Sequence, residues 1–317
     1  MKFAFVFPGQ GSQSVGMLQA LAADSAVVRE TFDQASASLG YDLWQLVQEG
    51  PEERLNPTER QQPAMLTAGI ACWRAWQSRG GGDPQVVAGH SLGEFTALVC
   101  AEALEFQAAV GLVQFRGRVM QEAVPAGAGA MAAILGLADA DVEKACRESA
   151  QGGVVEPVNF NSPAQVVIAG QADAVQRAME AARALGAKRA VLLPLSVPSH
   201  SSLMEPATHR LQERLATVEI KAPRIRYMSA VDAAVHQDPE DIRQLLVRQV
   251  ASPVRWTDTV RALAATGVAR IIECGPGKVL TGLNRRIEKR DGLEYLAIED
   301  PATLAAALAA VQGVDNA

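Results

Sequence analysis

Hydrophobic residues repeat with two different periods along this chain, and the alternation between the two predicts a layered α/β protein. Wholly apolar runs, as buried strands are, lie at residues 3–7 and 86–88, and further strands are predicted at 225–229 and 268–274. Apolar residues spaced by three and four, as on helices, lie at residues 17–22, 94–99, 105–122, 203–215, 241–249 and 303–311. A helical period also covers residues 27–76, with predicted breaks at Gly40, Gly50-Pro51, Pro57 and Pro63.

A second arrangement begins after residues 125–129, which have the composition of a linker. Strands are predicted at 130–135, 154–159, 165–169 and 189–195, and helices at 140–149 and 172–185. This βαββαβ order predicts a ferredoxin-like subdomain inserted in the main fold. We assign residues 127–197 to this subdomain, and residues 1–126 and 198–317 to a catalytic domain built on an α/β-hydrolase-like parallel sheet core.

The sequence around Ser91 predicts a strand, a sharp turn and a helix in succession. Ser91 stands in the sequence Gly-His-Ser-Leu-Gly-Glu between an apolar run and the start of an apolar helix, which is the pattern of a nucleophile elbow. Glycines two before and two after the serine are needed where the strand and helix backbones nearly touch. Backbone amides at the start of this helix are candidates to stabilise an oxyanion. The alternative is a tight glycine-rich turn without chemistry. The glycine-rich loop 8–13 also offers backbone amides at a strand end, as a phosphate cradle does, but it lacks the Lys-Ser/Thr of a P-loop.

A nucleophilic serine needs a base, and His200 is the best candidate among the four histidines. It lies in loop 196–201, between a predicted strand and a predicted helix, where catalytic crevices of sheets are built. A role in capping the helix is the alternative. The acids between Ser91 and His200 that could complete a triad are Asp139, Asp141 and Asp173, all at predicted helix starts where they look like caps. The pattern therefore favours a Ser-His dyad oriented by an amide or a backbone carbonyl.

Arg116 lies on the apolar face of the predicted helix 105–122, about 200° around the axis from Arg118 on the polar stripe. A guanidinium is costly to bury unless an anion satisfies it. The anion is either a carboxylate elsewhere in the protein or a carboxylate of the substrate, which arginine binds in two-point geometry. Gln62, at another helix start, is equally open between simple capping and a role near the site.

Composition narrows the class of protein. The 317 residues are 49% hydrophobic and 20% charged, and their formal net charge of −6 argues against general nucleic-acid binding. The four cysteines are widely spaced and lie mostly in apolar segments, as reduced core thiols do. The first strand starts too early for a signal peptide, and no apolar run is long enough to cross a bilayer. We therefore expect a cytoplasmic protein that binds neither nucleic acid nor membrane.

Four separated motifs resemble, in the same order, those of the malonyl-CoA:acyl carrier protein transacylases of bacterial fatty acid synthesis. They lie at residues 7–13 (FPGQGSQ), 89–94 (GHSLGE), 198–200 (PSH) and 273–277 (ECGPG). The likeness covers essentially the whole chain. It implies that Ser91 forms a malonyl ester, that His200 is its general base and acid, and that Arg116 holds the malonyl carboxylate.

The resemblance also implies roles for two backbone amides and one carbonyl. Gln10 and Leu92 match the positions whose amides form the oxyanion hole, and Gln249 matches the position whose carbonyl orients the histidine. A missing acid is thus expected in this family. Leu92 after the nucleophile agrees with use of malonyl rather than methylmalonyl groups. Related polyketide acyltransferases that select malonyl often have Phe before the histidine, whereas this chain has Ser199, as the discrete fatty acid enzymes do.

The partners that the resemblance implies are malonyl-CoA and acyl carrier protein, with no cofactor and no metal, and we expect a monomer. Because carrier protein is acidic, docking is predicted on the basic residues Lys188, Arg189, Arg285 and Arg286, whose alternative role is plain solvated surface. Supply of fatty acid or polyketide synthesis, and contact of Asn159, Asn161 or Gln62 with coenzyme A, stay open. Two other classes remain: a serine hydrolase, and a carrier-protein-binding module without catalysis.

Overall fold

The computed structural model describes residues 2–195 and 197–313, so the predicted loop 196–201 is described except at Ser196. The strands are β1 (Phe3–Phe7), β2 (Val86–Gly89), β3 (Gly129–Leu135), β4 (Val155–Ser162), β5 (Gln165–Gln171), β6 (Arg189–Leu192), β7 (Arg226–Met228), β8 (Val235–His236), β9 (Arg270–Cys274) and β10 (Glu294–Ile298). The helices are α1 (Gln19–Asp24), α2 (Ala26–Leu39), α3 (Leu43–Glu49), α4 (Glu52–Leu55), α5 (Thr58–Ser78), α6 (Gly93–Cys100), α7 (Phe106–Glu122), α8 (Asp139–Ala150), α9 (Ala172–Ala184), α10 (Glu205–Leu215), α11 (Pro239–Arg248), α12 (Trp256–Ala265), α13 (Val279–Ile287) and α14 (Pro301–Gln312).

The larger sheet has the strand order β10-β9-β1-β2-β7-β8. Its strands run parallel except β8, which pairs antiparallel with β7 at one edge. Every residue of β1 and β2 is buried, which is why these strands are continuous apolar runs in the sequence. The carboxyl ends of β1 and β2 lie side by side, with Phe7 paired to Gly89. The loops that follow these two strands therefore meet at one edge of the sheet.

Helices cover both faces of the larger sheet. Phe5 points to one face, where its ring packs edge-on against Trp73 and Trp76 of α5 at centroid distances of 5.6 and 5.2 Å. Ala4 and Val6 point to the other face, in a cluster that includes residues of α12 and α13. Two buried layers thus hold the sheet rigidly, as expected for an α/β-hydrolase-like core.

The smaller sheet has the order β4-β5-β3-β6 and is antiparallel throughout. Helices α8 and α9 pack on one face through an apolar cluster that includes Ile134, Val142 and Val175. This is the ferredoxin-like arrangement, and all six elements lie within residues 127–197. The fold class predicted from the sequence is therefore confirmed. Strand β4 joins this unit to the rest, because Val254 exchanges backbone hydrogen bonds with Val158 and Phe160.

Several local predictions are wrong. Helix α5 continues through Pro63 without a break. A proline here removes only the hydrogen bond to the Glu59 carbonyl, and burial of most of the helix outweighs that loss. Strand β6 ends at Leu192. The Leu193 amide still donates to Met131, but Pro194 has no amide hydrogen to continue the ladder. Strands β8 and β10 and helix α12 had no prediction, since each is short or only partly apolar.

All four cysteines are buried and free. Burial raises the pKa of each thiol, to about 12 for Cys146. In the described part of the chain, no helix combines the length and the apolar character that crossing a bilayer requires.

Candidate active site

Ser91 occupies the sharp turn between β2 and α6, with a left-handed backbone φ of 52°. A Cβ on Gly89 would lie 1.9 Å from the carbonyl carbon of Gly93, and a Cβ on Gly93 would lie 2.0 Å from the oxygen of Phe7. Only glycine fits at either position. The strained elbow predicted from the sequence is present, and it lifts the serine clear of the sheet.

The structure brings Ser91 and His200 together from positions 109 residues apart. Oγ of Ser91 lies 2.7 Å from Nε2 of His200, and Nδ1 of His200 lies 2.8 Å from the backbone oxygen of Gln249. A carbonyl only accepts, so Nδ1 carries the proton and Nε2 faces the serine hydroxyl as an acceptor. Burial first, and then the charge of Arg116, lower the pKa of His200 to about 3, which keeps the ring neutral at physiological pH.

Arg116 of α7 is fully buried beside this pair. It donates to the side-chain oxygens of Gln62 (2.9 Å) and Gln249 (2.8 Å) and to Ser91 Oγ (3.3 Å), while its Nε has no partner in the described structure. None of the ion pairs between described residues involves Arg116. The alternative of a direct internal ion pair is therefore wrong. Burial lowers the pKa of Arg116 to about 10, so it stays charged near pH 7.

Gln10 and Leu92 lie in the two loops that meet at the carboxyl ends of β1 and β2. Gly9 packs so closely on this edge that an added Cβ would lie 2.6 Å from the His90 carbonyl oxygen. Among the hydrogen bonds of residues 2–195 and 197–313, none is donated by the backbone amide of Gln10 or Leu92. Leu92 also precedes the first turn of α6, where the helix dipole adds positive potential. Both amides remain available to a ligand.

Gln249 takes part in the site through its side chain as well as through its backbone carbonyl. Its side-chain oxygen accepts from Arg116, and its Nε2 donates to the Ser91 carbonyl (3.0 Å) and to Oε1 of Glu94 (2.8 Å). One residue thus contacts the serine, the histidine and the arginine. This role of the side chain was not predicted, because no local pattern marks an amide whose hydrogen-bond partners lie 133 to 158 residues away in the sequence.

Further site residues were also missed. Glu94 is buried on α6 and accepts hydrogen bonds from Tyr227 of β7 and from Ser229, which directly follows β7. Its position in an otherwise apolar helix was the sequence signal that could have identified it. His90 Nε2 lies 2.8 Å from the side-chain oxygen of Asn161 on β4, which ties the elbow to the smaller sheet. Gln62 is part of the site through Arg116, so simple capping does not describe it.

Two cavities are lined by residues of the loops around the site, and His200 itself lines the larger one. One of about 310 Å³ is lined by residues that include Gln10 and Ser199, and one of about 870 Å³ by residues that include His200, Ser202 and Ser252. The larger cavity runs between β4 of the smaller sheet and the segment 251–258. His200 is therefore reached from the cleft between β4 and this segment.

Comparisons with known proteins agree with this geometry. The family model for the acyl transferase domain matches residues 4–298. Malonyl CoA-acyl carrier protein transacylases of Salmonella typhimurium and Bacillus subtilis are 57% and 44% identical; the alignments cover 97% of this chain in both cases, and 99% and 96% of those proteins.

Solved structures agree as well. An acyl carrier protein S-malonyltransferase from Vibrio cholerae superposes with a TM-score of 0.94 at 57% identity, over 97% of this chain and 100% of that one. A malonyl-transacylase in complex with its type II polyketide acyl-carrier protein superposes with a TM-score of 0.95 at 53% identity, over 97% and 99%. The chain therefore belongs to the acyl transferase domain family and, within it, to the malonyl CoA-acyl carrier protein transacylases.

Proposed function

We propose that this chain moves the malonyl group of malonyl-CoA to the phosphopantetheine thiol of holo acyl carrier protein, through an ester on Ser91. The observation that carries the proposal is the meeting of three groups in one buried site. Ser91 Oγ lies 2.7 Å from a neutral imidazole and 3.3 Å from a charged guanidinium that has no carboxylate partner among the described residues. A nucleophile, its base and a receptor for the acyl carboxylate are thus all present.

In the first half-reaction Ser91 Oγ attacks the thioester carbonyl while His200 Nε2 takes its proton. The tetrahedral oxyanion lies between the amides of Gln10 and Leu92, which are preorganised to donate to it. The carbon-sulfur bond then breaks, and the leaving thiol of coenzyme A takes the proton from His200. Gln249 holds the histidine tautomer through its backbone oxygen, in the place of a triad acid.

Arg116 selects the acyl group. Three of its N–H donors are taken by Gln62, Gln249 and Ser91, and a guanidinium has five. A malonyl carboxylate engages the donors that remain and the one now shared with Ser91. An acetyl group leaves them unpaired, which costs about 1 to 3 kcal/mol in a buried site.

The second half-reaction follows the reverse path, with the pantetheine thiol attacking the ester. The carrier protein is proposed to dock on two exposed basic pairs: Lys188 and Arg189 at the start of β6, and Arg285 and Arg286 at the end of α13. Arg285 also donates to the Tyr295 carbonyl, so its charge is partly committed. Electrostatic attraction of an acidic carrier speeds encounter more than it adds affinity.

The atoms and electrons of both steps balance with serine, histidine and the two thiols. We therefore propose that no cofactor or metal takes part. The setting that fits this chemistry is the cytoplasm, where malonyl transfer feeds fatty acid synthesis, and the proposed active form is a monomer. A polyketide pathway would use the same transfer.

Mass spectrometry of the intact protein tests the proposal. After mixing with malonyl-CoA the protein gains one malonyl group, and addition of holo carrier protein moves that group to the carrier. Loss of the label to water at the same rate with and without the carrier would point to a hydrolase instead. Absence of any label would point to a binding module without catalysis.

A further inference from the structure

Glu94 is a buried carboxylate that the transfer steps do not use. It lies three residues after the nucleophile and is 1% exposed. Its Oε2 accepts from the hydroxyls of Tyr227 and Ser229, its Oε1 accepts from Gln249 Nε2, and the backbone amide of Ala230 is a further donor. All of these groups can donate to it. Such a set satisfies an ionised carboxylate and offers little to the proton of a neutral one.

The direction of one of these bonds supports the ionised form. The backbone amide of Val231 donates to Ser229 Oγ (3.2 Å), so the hydroxyl proton of Ser229 is free to point at Glu94. Burial raises the pKa of Glu94, and the hydrogen bonds it accepts oppose that rise. A negative charge thus lies in the interior beside the site.

A single amide separates this charge from Arg116. Gln249 accepts from Arg116 Nη2 at 2.8 Å and donates to Glu94 Oε1 at 2.8 Å. The charge of Glu94 raises the pKa of Arg116 against the lowering by burial, although no direct ion pair joins the two. If the side-chain amide of Gln249 were rotated by 180°, its NH2 group would face the N–H of Arg116 and its oxygen would face the carboxylate oxygen of Glu94. Both contacts are repulsive. Glu94 therefore fixes which end of Gln249 meets the guanidinium.

We propose that Glu94 is a positioning residue that balances the charge of Arg116 while the acyl pocket is empty and sets how strongly the site prefers a carboxylate-bearing acyl group. In the empty enzyme it makes burial of the guanidinium tolerable. When a malonyl carboxylate enters, two anions share one cation, so the pull on the substrate is smaller than an isolated buried arginine exerts. The statement about acyl preference rests on the proposed function, whereas the statement about charge balance does not.

Glu94→Gln deletes the charge and keeps the shape. The new amide oxygen accepts from Gln249, and the new amide nitrogen donates to the hydroxyl oxygens of Tyr227 or Ser229. Arg116 is then buried without compensation, so we expect the Tm to fall by about 5 to 10 °C. The malonyl-over-acetyl ratio of Ser91 labelling rates is expected to rise about tenfold, because the repulsion of the incoming carboxylate is removed.

A double-mutant cycle with Arg116→Ala tests the charge balance without any substrate. Removing the arginine alone leaves Glu94 buried and unbalanced, so the double variant Glu94→Gln/Arg116→Ala should have a higher Tm than Arg116→Ala. Glu273→Gln is the matched control. Glu273 is equally buried but accepts from the backbone amides of Leu280 and Thr281, so its effect on Tm should be the same with and without Arg116.

The outcomes separate cleanly. A double variant no more stable than Arg116→Ala, or a labelling ratio that is unchanged or lower in Glu94→Gln, overturns the proposal. If Glu94→Gln fails to fold, folding of the double variant supports the proposal and its failure overturns it. If the wild-type protein is not labelled by malonyl-CoA, the proposed function fails, and the Tm cycle still decides whether Glu94 balances Arg116.

Discussion

The two sheets of this protein carry opposite kinds of interior. Among the described residues 127–195 and 197, the buried polar side chains are Ser149 and Ser162, and no charged group is buried. The larger unit buries a serine, a histidine, an arginine and a glutamate within one hydrogen-bonded cluster. Both Ser91 and His200 also have left-handed backbone conformations there. Buried charge is therefore concentrated in one unit.

This difference indicates that the larger unit carries the reactive groups. The ferredoxin-like unit has an apolar core with helices α8 and α9 on one face, so it contributes a wall and a surface. The larger unit tolerates buried charge because Arg116 and Glu94 are hydrogen-bonded within it. Substitutions in the buried site of the larger unit should thus change reaction rates, whereas matched substitutions in the interior of the smaller unit should change stability or nothing.

The largest expected effect is that of Ser91→Ala. Loss of the nucleophile should lower malonyl transfer by about 10⁴-fold or more and abolish the acyl-enzyme signal in intact-mass spectra. The control is Ser149→Ala, a buried serine of the smaller unit, which should label at the wild-type rate. Labelling of Ser91→Ala at an appreciable rate would contradict the assignment.

Next in size is Arg116→Ala. A malonyl carboxylate then loses its charged partner in a buried site, so kcat/KM for malonyl-CoA should fall about 10- to 100-fold. The preference for malonyl-CoA over acetyl-CoA should narrow, as measured by competition labelling. Arg177→Ala on α9, which removes contacts to Asp173 and to the end of α8, serves as the control in the smaller unit. Unchanged discrimination in Arg116→Ala would refute the role of this arginine.

Docking of the carrier protein is expected to involve surface residues of both units. Reversing Lys188 and Arg189, or Arg285 and Arg286, to glutamate should raise the KM for holo carrier protein about five- to tenfold through lost electrostatic attraction. The effect should weaken at high salt. Reversal of Lys144 and Arg147 on the exposed side of α8 is the control for net charge. A KM that does not change in either double reversal would leave these residues as plain surface.

A smaller effect is expected from acid. The pKa of His200 is lowered to about 3 by burial and then by the charge of Arg116, so the ring stays a neutral base as pH falls. The labelling rate at limiting malonyl-CoA, which reports the free enzyme, should change less than about twofold between pH 7 and pH 5. A histidine with an ordinary pKa would lose about 25-fold over that range. Stopped-flow or quenched labelling across this range decides between the two.

The smallest effect on catalysis is expected from Met179→Ala, in the core between α9 and the smaller sheet. Truncation of this buried side chain should destabilise the protein by about 2 to 5 kcal/mol, seen as a lower Tm. The kcat of the folded protein should be unchanged at a temperature well below the new Tm. A large fall in kcat would show that the two units are coupled more tightly than their interiors suggest.

The elements that the sequence predicts best are those whose signal is local. The elbow at Ser91 needs only a short motif between a strand and a helix. The apolar runs of β3 and β5 and the two-sided pattern of helix α9 are likewise complete within each segment. The break predicted at Pro63 is wrong because the rule that proline ends a helix considers only local sequence, whereas packing against distant residues stabilises α5. Strand β10 was missed because it is short and partly exposed at a sheet edge.

The residues of the site also differ in whether a local sequence signal identifies them. Ser91 and the glycines around it follow from their motif, and His200 follows from its rarity and its place at a junction. The bridge from Arg116 through Gln249 to Glu94 joins three elements that only the packed sheet brings together. No periodicity in any of the three segments encodes that bridge, which is why residues 94, 227 and 229 were not predicted as site residues.

The burial of all four cysteines has a practical consequence at the bench. Their thiols are shielded from solvent and bind their protons more tightly than an exposed cysteine does. Dyes that react with sulfhydryls will therefore report the one equivalent of coenzyme A that is released when Ser91 is acylated, with little background from the native enzyme. The reading applies to this first half-reaction alone, because the carrier thiol itself reacts with such a dye.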